Sequence, residues 1–115
     1  MNIDAYDANY LKKCAKIISV KPLENETIAS NTTEIIFQFD KKLDGQRYFF
    51  GPGPNGIEHY PKPIEFKFTN NNTMLVMSVK LEPNKDYQVR MIGRMMRTDD
   101  GYSVEDYVLN FKTRE

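Results

Sequence analysis

From residue 15 onward, apolar and polar positions alternate in short runs separated by turn-forming residues. Strict alternation marks a half-buried strand, because successive side chains of an extended chain point to opposite faces. In TEIIFQF, Ile35, Phe37 and Phe39 share one face, and Glu34, Ile36 and Gln38 share the other. Ile64, Phe66 and Phe68 alternate with Glu65 and Lys67, and Leu75, Met77 and Val79 with Val76, Ser78 and Lys80. Tyr87, Val89 and Met91 alternate with Gln88 and Arg90, and Tyr107, Leu109 and Phe111 with Val108, Asn110 and Lys112. The runs KIISV over 16–20 and RYFF over 47–50 read as further short strands. Each pattern puts one face in a core and the other in water, as antiparallel sheets do.

Turn chemistry separates the runs. Pro22 and the polar stretch Glu24–Thr33 divide the first two strands, and Asp40–Gly45 follows the second. Asn70, Asn71 and Asn72 predict a hairpin turn, because Asn tolerates the left-handed backbone conformation. Glu82–Lys85 and Asp99–Gly101 mark two more turns. Short strands with frequent turns predict an all-β fold, an antiparallel β-sandwich of about seven strands. Residues 4–16 depart from this pattern. Ala5, Ala8, Leu11 and Ala15 fall near helical spacing, with Asp early and Lys late, as a helix dipole prefers. Residues 1–15 are therefore read as a leader or the end of a preceding domain, in which a short helix and a frayed terminus are equal alternatives. Residues 16–115 are read as the sandwich.

A chain of 115 residues is one domain, large enough for a modest core without disulfides or a structural metal. Sixteen basic and sixteen acidic side chains give no surplus for a phosphate backbone, so nucleic-acid binding is not expected. The single Cys14 permits neither an internal disulfide nor a thiolate zinc cluster. No apolar run approaches the roughly 18 residues of a spanning helix, and no signal peptide is visible. Two locations stay open on composition alone: the cytoplasm, or an exported chain lacking its leader.

The run Leu81-Glu82-Pro83-Asn84-Lys85-Asp86-Tyr87 carries a mechanism. Leu81 anchors one strand end, Pro83 turns the chain, and Tyr87 opens the next strand. In Greek-key sandwiches such a Tyr folds over the corner and its hydroxyl bonds to backbone a few residues upstream. The expected partner is a carbonyl that the crossing between sheets leaves unpaired. With this corner in place, the chain resembles the bacterial Ig-like domains of S-layer and other secreted or surface proteins. Three further segments carry the resemblance: Pro22–Thr27 as an opening Pro and polar turn, Ile35–Asp44 as strand B and its exit, and Gly101–Thr113 as a closing turn and a last strand ending Phe-x-Thr. They span about residues 16–114, and Arg47–Pro63 falls outside the family pattern. The resemblance implies an Ig-like sandwich with a fibronectin-III-like Tyr corner, serving as an accessory or spacer module. It brings no catalytic residues and no cofactor.

Nucleophilic catalysis needs Ser or Cys beside His with an orienting acid, and His59 is the one histidine of the chain. Metal ligation by His lacks a second His, and Asp99, Asp100, Glu105 and Asp106 read as a solvated turn rather than a calcium loop. The sequons at Asn25, Asn31 and Asn71 matter only in a eukaryotic secretory setting. The stretch from Arg47 to Tyr60 is the candidate surface: Tyr48, Phe49, Phe50, His59 and Tyr60 lie among Pro and Gly, and exposed rings stack on sugars or partner proteins. The opposing reading has Tyr48 or Phe50 closing the sandwich edge. Arg94, Met95, Met96 and Arg97 form a second patch, which otherwise reads as a strand end with both Met side chains inward.

The expectation is a non-enzymatic module of a larger secreted, periplasmic or surface bacterial protein, whose partner is a neighbouring domain or another protein. The alternatives are a carbohydrate-binding module that takes polysaccharide on the aromatic loop, and the C-terminal domain of an upstream secreted enzyme.

Overall fold

The computed structural model describes residues 12–115. Its strands are β1 (Ile17–Lys21), β2 (Glu26–Ile28), β3 (Glu34–Phe39), β4 (Phe50–Gly51), β5 (Pro63–Thr69), β6 (Met74–Val79), β7 (Asp86–Met91) and β8 (Tyr107–Thr113). They form two four-stranded sheets, in the orders β1-β3-β6-β5 and β2-β8-β7-β4. Every neighbouring pair is antiparallel except β2 and β8, which run parallel. This is the all-β sandwich expected from the alternation. β2 forms one edge of the second sheet, beside the last strand, and β4 forms the other.

The inner faces are the ones the alternation selected. Ile35, Phe37 and Phe39 on β3 face Val89 and Met91 on β7 and Leu109 and Phe111 on β8, with Leu75, Met77 and Val79 of β6 in the same core. Each large side chain removed from water contributes about 1.5–3 kcal/mol, so these four strands supply most of the driving force. The β5–β6 hairpin turns on Asn70, Asn71 and Asn72, at φ 51°, 57° and 63°. Three successive left-handed residues are tolerable because Asn pays the smallest steric penalty after Gly.

Several details depart from the pattern. Ile64 was expected inside, yet it is 70% exposed, because the β5–β6 register shifts between Pro63 and Glu65 and turns it outward. The polar stretch read as a plain connection contains β2, whose pairing with β8 is made by backbone rather than by apolar side chains. The strand expected over 47–50 shrinks to Phe50–Gly51, paired with Met91 and Arg90.

The helix or leader expected over residues 1–15 lies outside the described residues except for its last four. Of these, Cys14 and Ala15 are buried. Ala15 makes a parallel bridge to Val104: its N–H donates to the Ser103 carbonyl at 3.1 Å, and its carbonyl accepts from Glu105 N–H at 2.9 Å. Gly93 makes room for this contact, since a Cβ there would lie 2.4 Å from the Val104 carbonyl oxygen.

Candidate functional site

At the crossing from β6 to β7, Leu81 is buried, Pro83 is exposed, and Asn84 turns the chain at φ 56°. The buried Tyr87 ring stacks on Phe111, with centroids 5.3 Å apart. Its hydroxyl oxygen accepts the Glu82 backbone N–H at 2.8 Å. The partner is thus an amide, not the carbonyl expected from the sequence. The Glu82 carbonyl is met from the other side: the Thr113 hydroxyl donates to it at 2.5 Å and accepts Lys85 N–H at 3.0 Å. The Phe-x-Thr ending and the Tyr corner are one hydrogen-bonded unit. The signal for Thr113 was present in the sequence, two residues after Phe111 and therefore on the same inward face.

The five residues of the candidate surface fall into separate places. Phe50, on β4, stacks on Phe66 at 5.1 Å and tilts against Phe37 at 5.2 Å, which closes the open edge of the sandwich. Tyr48 also stacks on Phe66, at 4.6 Å, and stays 43% exposed. Phe49 alternates away from both and is 41% exposed. His59 ends a 3-10 turn over Ile57–His59, and its Nδ1 lies 3.0 Å from the Asp86 carbonyl, so the proton sits on Nδ1. Tyr60 is half-buried, and that burial raises its pKa above the usual phenol value. It lines a cleft of about 490 Å³ with Ile57, Lys62, Leu81, Lys85 and Tyr87, beside the Tyr corner. Tyr48 and Phe50 come together; His59 and Tyr60 belong to the corner instead.

A polar ladder holds the loop that carries these residues. Asn55 N–H donates to Gln88 Oε1 at 2.9 Å, and Gln88 Nε2 donates to Asn110 Oδ1 at 2.8 Å. Asn110 in turn donates its Nδ2 at 2.8 Å and its backbone N at 3.0 Å to Glu24 Oε1. Tyr107 donates its hydroxyl to the other Glu24 oxygen at 3.3 Å. Partial burial raises the Tyr107 pKa, and the Glu24 carboxylate adds to it. Gly53 lets the loop approach, since a Cβ there would meet Gln88 Oε1 at 2.2 Å. Sequence reasoning treated Gln88 as merely outward-facing. The facing pair Gln88 and Asn110 was the missed signal.

In the second patch, Met96 is fully buried while Met95 is 49% exposed, so only one of the two Met side chains turns inward. The 3-10 turn over Gly93–Met95 separates them. Arg94 donates its backbone N–H at 3.1 Å and its guanidinium at 3.0 Å to the Asp106 carboxylate. Asp100 accepts the Thr98 hydroxyl at 2.5 Å. Among the described residues, no three His, Cys, Asp or Glu side chains gather as metal ligands, and no helix is long and apolar enough to cross a membrane. A cleft of about 700 Å³ opens where the chain passes from β1 to β2, lined by Val20, Pro22, Leu23, Ile28, Thr33 and Ile36 among others.

No family model matches the chain, and no curated protein matches it. Solved structures do. The S-layer protein rSbsC(31-844) superposes with a TM-score of 0.59 at 18% identity, over 97% of this chain and 15% of that one. The structure of surface layer protein SbsC, domains 1-6, gives 0.59 at 17% identity, again over 97% and 15%. CopC from Methylosinus trichosporium OB3b gives 0.61 at 12% identity, over 88% of this chain and 96% of that one. This chain therefore spans a small part of the S-layer chains and nearly the whole of CopC. At these identities the likeness is one of fold: a β-sandwich that recurs both inside a long surface-layer chain and as a small protein.

Proposed function

We propose that the chain is a non-catalytic positional module of a larger secreted or surface bacterial protein. One observation carries this reading: the same fold occupies 15% of a long S-layer chain while covering 97% of this one. The strand arrangement suits the role. Ala15 sits beside Val104, ahead of β8, and Thr113 ends β8 at the corner. Chain segments attached before residue 15 and after 113 therefore emerge at opposite ends of a rigid sandwich, which holds them apart. The neighbouring domain or protein docks on loops, as rigid sandwiches usually arrange.

The test is antibody labelling of intact cells of the source bacterium, with permeabilised cells as control. Labelling of intact cells, or recovery from the medium, supports the reading. Labelling only after permeabilisation of the inner membrane overturns it.

A second reading has one observation in its favour. Tyr48 is backed by Phe66, tilts against Phe68 at 6.4 Å and stays 43% exposed, a supported ring of the kind sugar faces stack on. A glycan array probed with the protein and with Tyr48→Ala tests it. Signals lost in the variant support carbohydrate binding by this ring, and a blank array for both proteins rejects it.

A further inference from the structure

We propose that residues 12–28 and 104–113 form a seam that resists tension applied along the chain. The two stretches touch twice, and both times in the same direction. Ala15 bridges Val104 in parallel, and further on Glu26, Thr27 and Ile28 pair in parallel with Phe111, Lys112 and Thr113. Between these contacts the first stretch crosses to the other sheet as β1 and lies antiparallel on β3. The first segment thus starts beside the beginning of the last one and finishes beside its end.

Strand direction decides how such a seam fails. Pulling the two ends of the chain apart draws the first stretch one way and the last stretch the other, so they must slide along each other. The hydrogen bonds of a parallel pair are evenly spaced and slant across the gap between the strands, so sliding strains all of them at once. They share the load and must break together. Two strands pulled apart from the same end instead lose their bonds one at a time, at much lower force.

The seam is closed at both of its contacts. At Ala15 the bonds are those to Ser103 and Glu105. At β2, Asn25 N–H donates to the Asn110 carbonyl at 2.7 Å and Arg114 N–H donates to the Ile28 carbonyl at 2.9 Å. Side chains reinforce both flanks. Glu24 takes the Asn110 N–H at 3.0 Å, and the Arg114 guanidinium reaches the Thr27 carbonyl at 3.3 Å. β2 buries little apolar surface, with only Ile28 half-buried, so its contribution is to tie the ends rather than to build the core. This inference rests on strand direction alone and stands or falls separately from the location of the protein.

The experiment is single-molecule force spectroscopy on the whole chain along two axes. One protein, carrying Cys14→Ser and Asn31→Cys with tags at both termini, serves both measurements, so any folding defect is common to them. Load through the two termini shears the seam. Load through position 31 and the C-terminus peels β2 from β8, starting at Ile28. Forced unfolding reports the barrier rather than the equilibrium stability. The expected result is a terminal unfolding force several-fold above the peeling force. Glu24→Ala is expected to lower the terminal force while leaving the peeling force unchanged, because peeling begins at the far end of β2. Equal forces along the two axes, or a terminal force untouched by Glu24→Ala, would overturn the proposal.

Discussion

Thr113 and Tyr87, on neighbouring strands, take the two backbone polar groups of a single residue. Thr113 donates to the Glu82 carbonyl at 2.5 Å and Tyr87 accepts the Glu82 N–H at 2.8 Å. The corner that joins the sheets is thereby fixed from the last strand as well as from β7. Tyr87→Phe removes one of these bonds while keeping the ring on Phe111, and is expected to cost about 1 kcal/mol. Thr113→Val leaves both the Glu82 carbonyl and the Lys85 N–H without their partner, for about 1–3 kcal/mol. Because the two side chains share Glu82, the double variant is expected to depart from additivity by about 0.5 kcal/mol or more. Urea unfolding of the four proteins measures this, and strict additivity would show that the two bonds act independently.

The aromatic residues divide into structural and exposed rings, and truncation separates them. Phe37, fully buried and in contact with Phe50, is expected to cost about 3–5 kcal/mol as Phe37→Ala. Phe49→Ala, at an exposed position, is expected to stay within about 0.5 kcal/mol of the parent. Thermal denaturation of both variants checks the contrast.

The hairpin at Asn71, with φ 57°, makes a conformational prediction. A β-branched side chain in the left-handed region clashes with the following carbonyl, so Asn71→Val is expected to lose about 1–2 kcal/mol. Asn71→Gly, which carries no Cβ, is expected to be close to neutral. Denaturant midpoints of the two variants settle the matter.

Tyr107 and Tyr60 give the fold an alkaline limit. Burial raises both pKa values above the ordinary 10.0, and for Tyr107 the Glu24 carboxylate adds to it. A raised folded-state pKa means that the folded protein holds the phenol proton more tightly than the unfolded chain does. The corresponding stability is fully present below the ordinary phenol pKa and is lost as pH rises through the folded-state value. Stability is therefore expected to fall above about pH 10, and Tyr107→Phe is expected to make that fall shallower. Denaturant titrations on either side of that pH measure it. A slope unchanged in the variant would mean that Tyr107 takes no part.

The strands that build the core were legible because burial wrote them into the sequence. In β3, β6, β7 and β8 apolar residues alternate with polar ones, and the structure buries the face that alternation chose, although on β7 the opposite face also buries Gln88. β2 carried no such record, and β4 only the short run RYFF over 47–50, of which Phe50 alone is strand. Glu26-Thr27-Ile28 is a strand because β8 offers it a backbone partner, and Phe50-Gly51 because Met91 and Arg90 do. Pairing of that kind is set by tertiary placement, which alternation along one segment does not encode. Ile64 shows the complementary failure, where a register shift reversed a correct period.

The candidate surface was legible as a cluster in sequence but not as a cluster in space. Tyr48 and Phe50 are two residues apart and so share a face, where Phe66 receives both rings. The turn at Ile57–His59 carries Tyr60 elsewhere, beside Leu81 and Tyr87. The residues that hold the loop, Gln88, Asn110 and Glu24, come from β7, β8 and the turn before β2. Nothing local to the loop announced them.

The proposed positional role of this sandwich within a larger exported chain is tested most directly by one immunoblot of fractionated source cells. Antibody raised against the purified 115-residue chain reads location and size in the same lanes. The expected result is a band in the surface or medium fraction well above the 13.4 kDa of this chain. A band at 13.4 kDa confined to the cytosol would contradict the account.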